Sequence, residues 1–122
     1  MDVKIAIQKL GSKSLFVKVS GEVNLVTAYS LAEPMTKLVR RGYHHLVVDL
    51  EDVKFMDSSG LGILISLQRL LEESHGEMSV ICSNPNLLKL FSITNFAQLV
   101  KVFERKEEAL ESVNTTREMV GV

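Results

Sequence analysis

The chain has 122 residues, of which 46% are hydrophobic and 24% are charged, and its formal net charge is −1 at pH 7. This length and composition are typical of one globular domain that buries a core without disulfides, and they exclude a disordered chain. The near-neutral charge, without a run of Lys or Arg, argues against direct contact with nucleic acid, so we expect proteins or small ligands as partners.

Cysteine usage and hydropathy indicate the compartment. The single cysteine, Cys82, excludes an internal disulfide, and its position in the apolar run from Met78 to Cys82 predicts a small buried hydrophobe. The N-terminus alternates charged and apolar residues, unlike a signal peptide, and the longest apolar stretch, Leu61 to Leu67, is too short to span a bilayer. We therefore expect a cytoplasmic protein without a membrane segment.

Alternation of apolar and polar residues predicts an antiparallel hairpin at the start of the chain. Its apolar positions are Val3, Ile5 and Ile7 in the first strand and Leu15, Val17 and Val19 in the second. Gly21 is expected to end the second strand. Thr27 is the predicted N-cap of a helix that ends at Gly42, with Pro34 expected to kink it or delay its start.

Three apolar runs predict strands that are buried on both faces: Leu46 to Leu50, Met78 to Cys82, and Leu99 to Phe103. Helices are predicted over Ser58 to His75, Asn84 to about Ile93, and Glu107 to Val113. Because strands alternate with helices, we expect parallel pairing and right-handed crossovers. The prediction is an α/β fold with a mixed central β-sheet of about five strands, flanked by about four helices. It forms one domain over residues 1–113, followed by a flexible tail over residues 114–122.

The most informative segment runs from Asp57 through Gly62, with the sequence Asp-Ser-Ser-Gly-Leu-Gly, directly after a predicted strand and at the start of a long helix. Its plainest interpretation is structural: Asp57 or Ser58 caps the helix, and the glycines permit the turn. However, each glycine inside a helix costs ~0.5–1 kcal/mol relative to alanine. Two of them in the first turn suggest that something approaches the backbone closely.

A helical wheel divides this helix into two faces. The predicted core face consists of Ile63, Leu64, Leu67, Leu70 and Leu71. Leu61 and Ile65 fall outside it, beside Ser58 and Gly62, and we expect both to be partly exposed. This second face is a candidate docking site. A phosphate on Ser58 would lie at a helix N-terminus, which favours negative charge, so phosphorylation should change the docking face and leave the fold intact.

The sequence resembles the bacterial anti-sigma-factor antagonists, which are STAS-domain proteins of sporulation and general-stress partner-switching systems. The resemblance covers residues 1 to about 113 and lies in Gly21 to Asn24, Leu46 to Leu50, Phe55 to Gly62, Leu87 to Phe96, and Glu107 to Leu110. It implies that the unphosphorylated protein binds an anti-sigma factor, which is also a serine kinase, and so frees a sigma factor. The kinase would use ATP to phosphorylate the serine directly after the aspartate, here Ser58, and a metal-dependent serine phosphatase would restore the active form.

Together the residues and the resemblance give a set of predicted partner-binding positions. These are Asn24, Asp57, Ser58, Ser59, Gly60, Leu61, Gly62 and Ile65. One of them departs from the family pattern, which usually has aspartate where this chain has Asn24, near the phosphorylation site. We expect asparagine to remove a negative charge beside Asp57 and the incoming phosphate while keeping a side-chain acceptor.

Other function classes fit the residues less well. An enzyme needs a nucleophile with a base, but Ser58 has no adjacent base and Gly-x-Ser-x-Gly is absent, so no catalytic residue is predicted. His44 and His45 lack further ligands, so neither a metal nor a cofactor is predicted. The acidic residues of a receiver-type pocket would be Asp49, Glu51, Asp52 and Asp57, but no acidic pair follows the first strand. The nearer alternative keeps the fold: a STAS ligand-binding or scaffold module of a signalling or transport assembly.

Overall fold

A computed structural model describes the backbone of residues 2–120 and the side chains of residues 2–113. In chain order its elements are β1 (Val3–Lys9), β2 (Ser14–Val23), α1 (Ala28–Arg40), β3 (His45–Met56), α2 (Ser58–Glu72), β4 (Glu77–Ile81), α3 (Pro85–Ile93), α4 (Phe96–Leu99), β5 (Lys101–Phe103) and α5 (Lys106–Val120).

The five strands form one sheet in the order β1-β2-β3-β4-β5. β1 pairs with β2 in antiparallel fashion, and all the other neighbouring strands are parallel. The predicted mixed α/β sheet is therefore confirmed. Within the described residues there are five helices rather than about four, because the short helix α4 follows α3 after a turn at Asn95, whose φ is +59°.

The helices cover both faces of the sheet, which explains why the successive residues Leu46, Val47 and Val48 of β3 are all apolar. Leu46, Val48 and Leu50 lie in the larger core, to which α1, α2, α3 and α4 also contribute. Val47, between them, lies in a second core on the opposite face, where Ala109 of α5 packs. A strand that is covered on both faces shows no alternation of apolar and polar residues.

β2 and β3 project beyond the rest of the sheet. The last pair between β3 and β4 is Asp49 with Ile81, whereas pairing between β2 and β3 continues to Val23 with Met56. Gly21 was expected to end β2, but the strand passes through it at a φ of +102° next to a register shift. A side chain at Gly21 would collide with the carbonyl oxygen of Asp2. The result is a two-stranded extension that carries the loops leading into α1 and α2.

Near the end of the chain, the last strand and the last helix differ from their predicted bounds. The predicted last strand is shorter, because Leu99 belongs to α4 and β5 begins at Lys101. Helix α5 continues to Val120, past the expected domain end at residue 113. The side chains of residues 114–120, and all of residues 121 and 122, lie outside the described part of the chain. The assignment of residues 114–122 as a flexible tail therefore stays a prediction.

Cys82 follows β4 and is fully buried in the larger core, as its apolar surroundings predict. Burial raises the pKa of its thiol, although a backbone hydrogen bond from Asn84 acts in the opposite direction. Cys82 is therefore a packing residue with a thiol that resists ionisation.

His45 supplies a test of the fold through pH. It is buried at the start of β3, where its Nε2 lies 3.5 Å from Oγ of Ser79. Burial lowers the pKa of His45; Glu77 opposes this effect, whereas Lys101 and His44 add to it. Since the unfolded state then binds the proton more readily, stability should rise with pH through the window below the unfolded pKa of about 6.5.

We expect the free energy of unfolding in urea to fall between pH 7.5 and pH 5, and His45→Gln to flatten this dependence. The matched control is His75→Gln, since His75 is exposed. An unchanged pH profile in His45→Gln would contradict the assignment.

Candidate functional site

The start of α2 is held by Asp57, which is the N-cap residue with φ −104° and ψ −170°. Its Oδ1 accepts a hydrogen bond from the N–H of Ser59 at 2.9 Å. Ser58 occupies the first helical position, and its side chain is exposed. Among the described residues, nothing forms a hydrogen bond with the Ser58 hydroxyl. The aspartate therefore performs the capping that the motif predicts, and the serine hydroxyl is left to the solvent.

The two glycines of the motif have different surroundings. Gly60 is buried, and a Cβ there would lie 2.6 Å from Cγ of Met56 and 2.8 Å from Cγ1 of Val23. Gly60 thus lets α2 rest directly on the ends of β2 and β3. Gly62 is exposed, and a Cβ at that position would meet nothing within 4 Å. Packing therefore explains why residue 60 is glycine. No contact within the described part of the chain requires glycine at position 62.

The buried stripe of α2 differs from the predicted core face. It consists of Gly60, Leu61, Leu64, Leu67, Gln68 and Leu71. Leu61 is only 4% exposed, so the prediction that it is partly exposed is wrong. Gln68 explains the difference: its Oε1 accepts the backbone N–H of Met78 at 2.9 Å, which satisfies the polar group in the core. Glycine and glutamine are not counted as apolar residues. A helical wheel based on aliphatic residues alone therefore places the core face of α2 at the wrong angle around the helix.

Residues on the two flanks of this stripe are half-buried. Ile63 and Leu70, predicted to belong to the core, pack against it while half-buried, and they line a cavity of about 290 Å³ that also borders Ala32 and Thr36 of α1. Ile65 lies on the other flank and is half-buried, as expected. The exposed face near the start of α2 therefore retains Ser58, Gly62 and Ile65, but not Leu61.

The loop between β2 and α1 is organised by Asn24. The Oδ1 atom of Asn24 accepts the N–H groups of Val26 at 2.9 Å and Thr27 at 3.0 Å. Thr27 directly precedes α1, as predicted, but its hydroxyl does not cap the helix; it accepts the N–H of Asn24 and donates to the carbonyl of Glu22. The side chain that caps the turn into α1 is that of Asn24, a role that the sequence reasoning missed.

Pairing between β2 and β3 brings this loop to the start of α2. Val23 pairs with Met56, and the N–H of Asp57 donates to the carbonyl oxygen of Val23 at 3.1 Å. Asn24 and Asp57 are the next residues of two neighbouring parallel strands, so they leave the sheet side by side. The structure therefore brings together the two segments that carry the predicted partner-binding residues.

The same loop and the first turn of α1 expose apolar side chains that the sequence reasoning also missed. Leu25, Val26 and Tyr29 are 75%, 84% and 81% exposed, and we call these three residues the loop patch. Grouped exposed apolar residues are typical of interaction sites, whereas scattered ones are not. The available signal was an aliphatic pair directly after the turn-forming Asn24, where a solvent loop would ordinarily be polar.

The acidic residues of β3 are used within the fold. Asp49 Oδ1 accepts the N–H of Glu51, Glu51 binds the hydroxyl of Ser83 at 2.8 Å, and Asp52 pairs with Lys18 at 3.1 Å. Across the described residues, no group of three or more His, Cys, Asp or Glu side chains is placed to hold a metal ion. In the same part of the chain, no helix has the length and apolar composition that crossing a membrane requires.

Comparison with known proteins identifies a family. The model of the STAS domain matches residues 4–109. The anti-sigma F factor antagonist of Paenibacillus polymyxa is 31% identical over 97 residues, covering 79% of this chain and 83% of that protein. The anti-sigma-B factor antagonist of Staphylococcus aureus is 33% identical over 91 residues, covering 75% and 84%. The crystal structure of an anti-sigma factor antagonist from Mycobacterium paratuberculosis aligns with a TM-score of 0.83 at 26% identity, over 92% of this chain and 94% of that one.

The corrected stripe of α2 predicts which aliphatic residues hold the fold. Leu61→Ala and Leu67→Ala should each lower the free energy of unfolding by ~2–5 kcal/mol, because each leaves a cavity in the core. Ile65→Ala should cost clearly less, since Ile65 is half-buried. Urea unfolding measures all three, and equal losses at Ile65 and Leu61 would show that the stripe is wrongly placed.

The two glycines should respond to alanine with opposite signs. Gly62→Ala should raise the free energy of unfolding by ~0.5–1 kcal/mol, because an open helical position gains from the lower backbone entropy of alanine. Gly60→Ala should lower it by ~1–3 kcal/mol, because the new methyl group overpacks the contact with Met56 and Val23. Thermal or urea unfolding of the two variants decides the matter, and destabilisation by both would remove the distinction between them.

Proposed function

The chain belongs to the STAS domain family, and we propose that it acts as an anti-sigma-factor antagonist: it binds an anti-sigma factor and so frees the sigma factor which that inhibitor holds. The family resemblance found in the sequence is confirmed by the match to the STAS domain over residues 4–109. Two relatives that are 31% and 33% identical bear the name of anti-sigma factor antagonists, which are regulators rather than enzymes. These names support the proposal for this chain.

We propose that Ser58 is the phosphorylation site that turns binding off. The observation that carries this proposal is the position of its hydroxyl: exposed, unused by the fold, and at the first residue of α2. A kinase can reach such a group without unfolding the chain. Ser59 is the weaker candidate, since it is half-buried beside the cap.

The charge of a phosphate accounts for its effect on binding. Phosphoserine adds about −1.5 to −2 charge at pH 7. Asp57 already occupies the capping position and accepts the N–H of Ser59. The phosphate would therefore stand beside a carboxylate, and it would project into any surface that covers the start of α2. Because the Ser58 hydroxyl holds nothing in the fold, the change acts on the interface rather than on stability.

The proposed docking face joins the exposed part of α2 to the neighbouring loop. It consists of Asn24, Asp57, Ser58, Ser59, Gly62, Ile65 and the loop patch. Gly60 and Leu61 leave the predicted set of contact residues, because both are buried and serve to seat the helix. Gly62 has a function in this face, since an exposed glycine permits close approach of a partner to the helix backbone.

The remaining parts of the proposal concern partners and location. The anti-sigma factor would also be the serine kinase, with ATP as phosphate donor, and a serine phosphatase would restore the binding form. The protein would act in the cytoplasm, without contact to nucleic acid or membrane. A ligand-binding or scaffold module is the alternative for this fold, and such a module would be indifferent to the state of Ser58.

Substitutions at Ser58 test the proposal in complex with the organism's own anti-sigma factor kinases. Ser58→Ala should bind such a kinase as tightly as the natural chain and stay bound when ATP is added. Ser58→Asp should fold normally but bind at least about tenfold more weakly, ~1.4 kcal/mol, because it places a charge in the interface. Calorimetry measures affinity, and mass spectrometry locates the phosphate after incubation with kinase and ATP.

The control is Ser12→Asp, which adds the same charge in the turn between β1 and β2, at the opposite edge of the sheet. It should bind as the natural chain does. Phosphate found only at Ser59 or elsewhere would refute the assignment of Ser58. Equal affinities of Ser58→Asp and Ser12→Asp would refute the docking face.

A further inference from the structure

The hydrogen bonds of the β2–α1 loop fix the orientation of the Asn24 amide. One end of the amide faces two backbone donors, the N–H groups of Val26 and Thr27. Only an oxygen can accept both bonds, so this end is Oδ1, and the other end is the Nδ2 amino group. No hydrogen bond of Nδ2 to any residue in the described part of the chain is present. Asn24 therefore has two free donor hydrogens.

Asn24 lies next to the start of α2 in the fold. Asn24 directly follows Val23, whose carbonyl oxygen accepts the N–H of Asp57 at 3.1 Å. Ser58 is the next residue after Asp57, and its side chain is exposed. The acidic residues of the two strand ends, Glu22 and Asp57, add negative charge to this edge. A phosphate on Ser58 would lie at the N-terminus of α2, which favours negative charge, but also beside these carboxylates, so a donor from the neighbouring loop would add to its stabilisation.

We propose that the Nδ2 amino group of Asn24 is the donor that binds the phosphate on Ser58, so that residue 24 sets how readily this chain accepts its phosphorylated state. The inference rests on the proposed role of Ser58 and adds the residue that regulates it. In this chain the side-chain atom of residue 24 that takes no part in capping is Nδ2, which can donate to an anion. An aspartate would present a second carboxylate oxygen instead, while its first oxygen could cap the loop equally well.

Because Oδ1 caps the loop and Nδ2 is proposed to bind the phosphate, substitutions of Asn24 can change one function without the other. Asn24→Asp keeps the capping oxygen and replaces only the outer amino group by a charged oxygen of the same size. Asn24→Ser keeps a good cap and removes the outer donor without adding charge. Both variants should therefore fold like the natural chain, which thermal unfolding verifies.

The experiment places phosphoserine at position 58 of the full chain by genetic encoding, so that no kinase is needed. The pKa of the phosphate, ordinarily about 6, is then measured by ³¹P NMR titration. A hydrogen bond to the dianion lowers this pKa, and a nearby negative charge raises it. Asn24→Ser should raise the pKa of the phosphate by about 0.2 to 0.7, the range of an interaction exposed to water, and Asn24→Asp should raise it further.

Gln8→Glu is the matched control, because it makes the same amide-to-carboxylate change at another exposed position. Gln8 lies far from the site. It pairs with Phe16, which in turn pairs with Val47 of β3. Met56, at the site, lies nine residues beyond Val47 along β3, a distance of roughly 30 Å. This variant should leave the pKa of the phosphate unchanged.

The outcomes separate this inference from the proposed function. An unchanged pKa of the phosphate in Asn24→Ser would show that Nδ2 does not bind it, and an unchanged pKa in Asn24→Asp would show that residue 24 is not beside it. Either result overturns the inference. Failure of the chain to bind an anti-sigma factor would overturn the proposed function. It would not change the pKa of the phosphate measured in these titrations, because they need no partner.

Discussion

Pairing between β2 and β3 continues for seven residues of β3 beyond its last pair with β4, from Asp49 to Met56, and the candidate site depends on this extension. Its final hydrogen bond, from the N–H of Asp57 to the carbonyl of Val23, ties together the two points at which the chain leaves the sheet. One exit leads into the loop of Asn24 and the other into α2. Because parallel strands end at the same edge of the sheet, residues more than thirty positions apart in sequence lie side by side.

The sequence predicts most of this arrangement where a single local rule operates. The buried run of β3 is predicted correctly because burial on both faces requires apolar residues. The cap of α2 is narrowed to Asp57 or Ser58 by residue type, and the structure selects Asp57. Leu61 is misplaced because the core face of α2 also contains Gly60 and Gln68, and the latter is tolerated only through its bond to Met78 of β4. The loop patch escapes prediction for a related reason: exposure of Leu25 and Val26 depends on what the loop packs against, and propensity does not encode it.

Gly60 and Gly62 show how one short motif can combine two demands. Without a side chain, Gly60 lets the helix axis approach Val23 and Met56 closely, so it fixes where the first turn of α2 lies relative to the strand ends. Gly62 is only two residues away but points in the opposite direction, to open solvent. Close packing at Gly60 fixes the position of the first turn of α2, and Gly62 leaves the backbone of the same turn accessible. A small interaction site needs both a fixed position and an accessible surface.

The burial of Cys82 has a consequence for the reactivity of its thiol. It is the only cysteine of the chain, it is fully buried, and its thiol has a raised pKa. Peroxides and disulfides react with thiolates that they can reach, and the folded chain offers them none. Oxidation of Cys82 therefore requires that the larger core open first, so the thiol reports on opening of the fold rather than on the folded state.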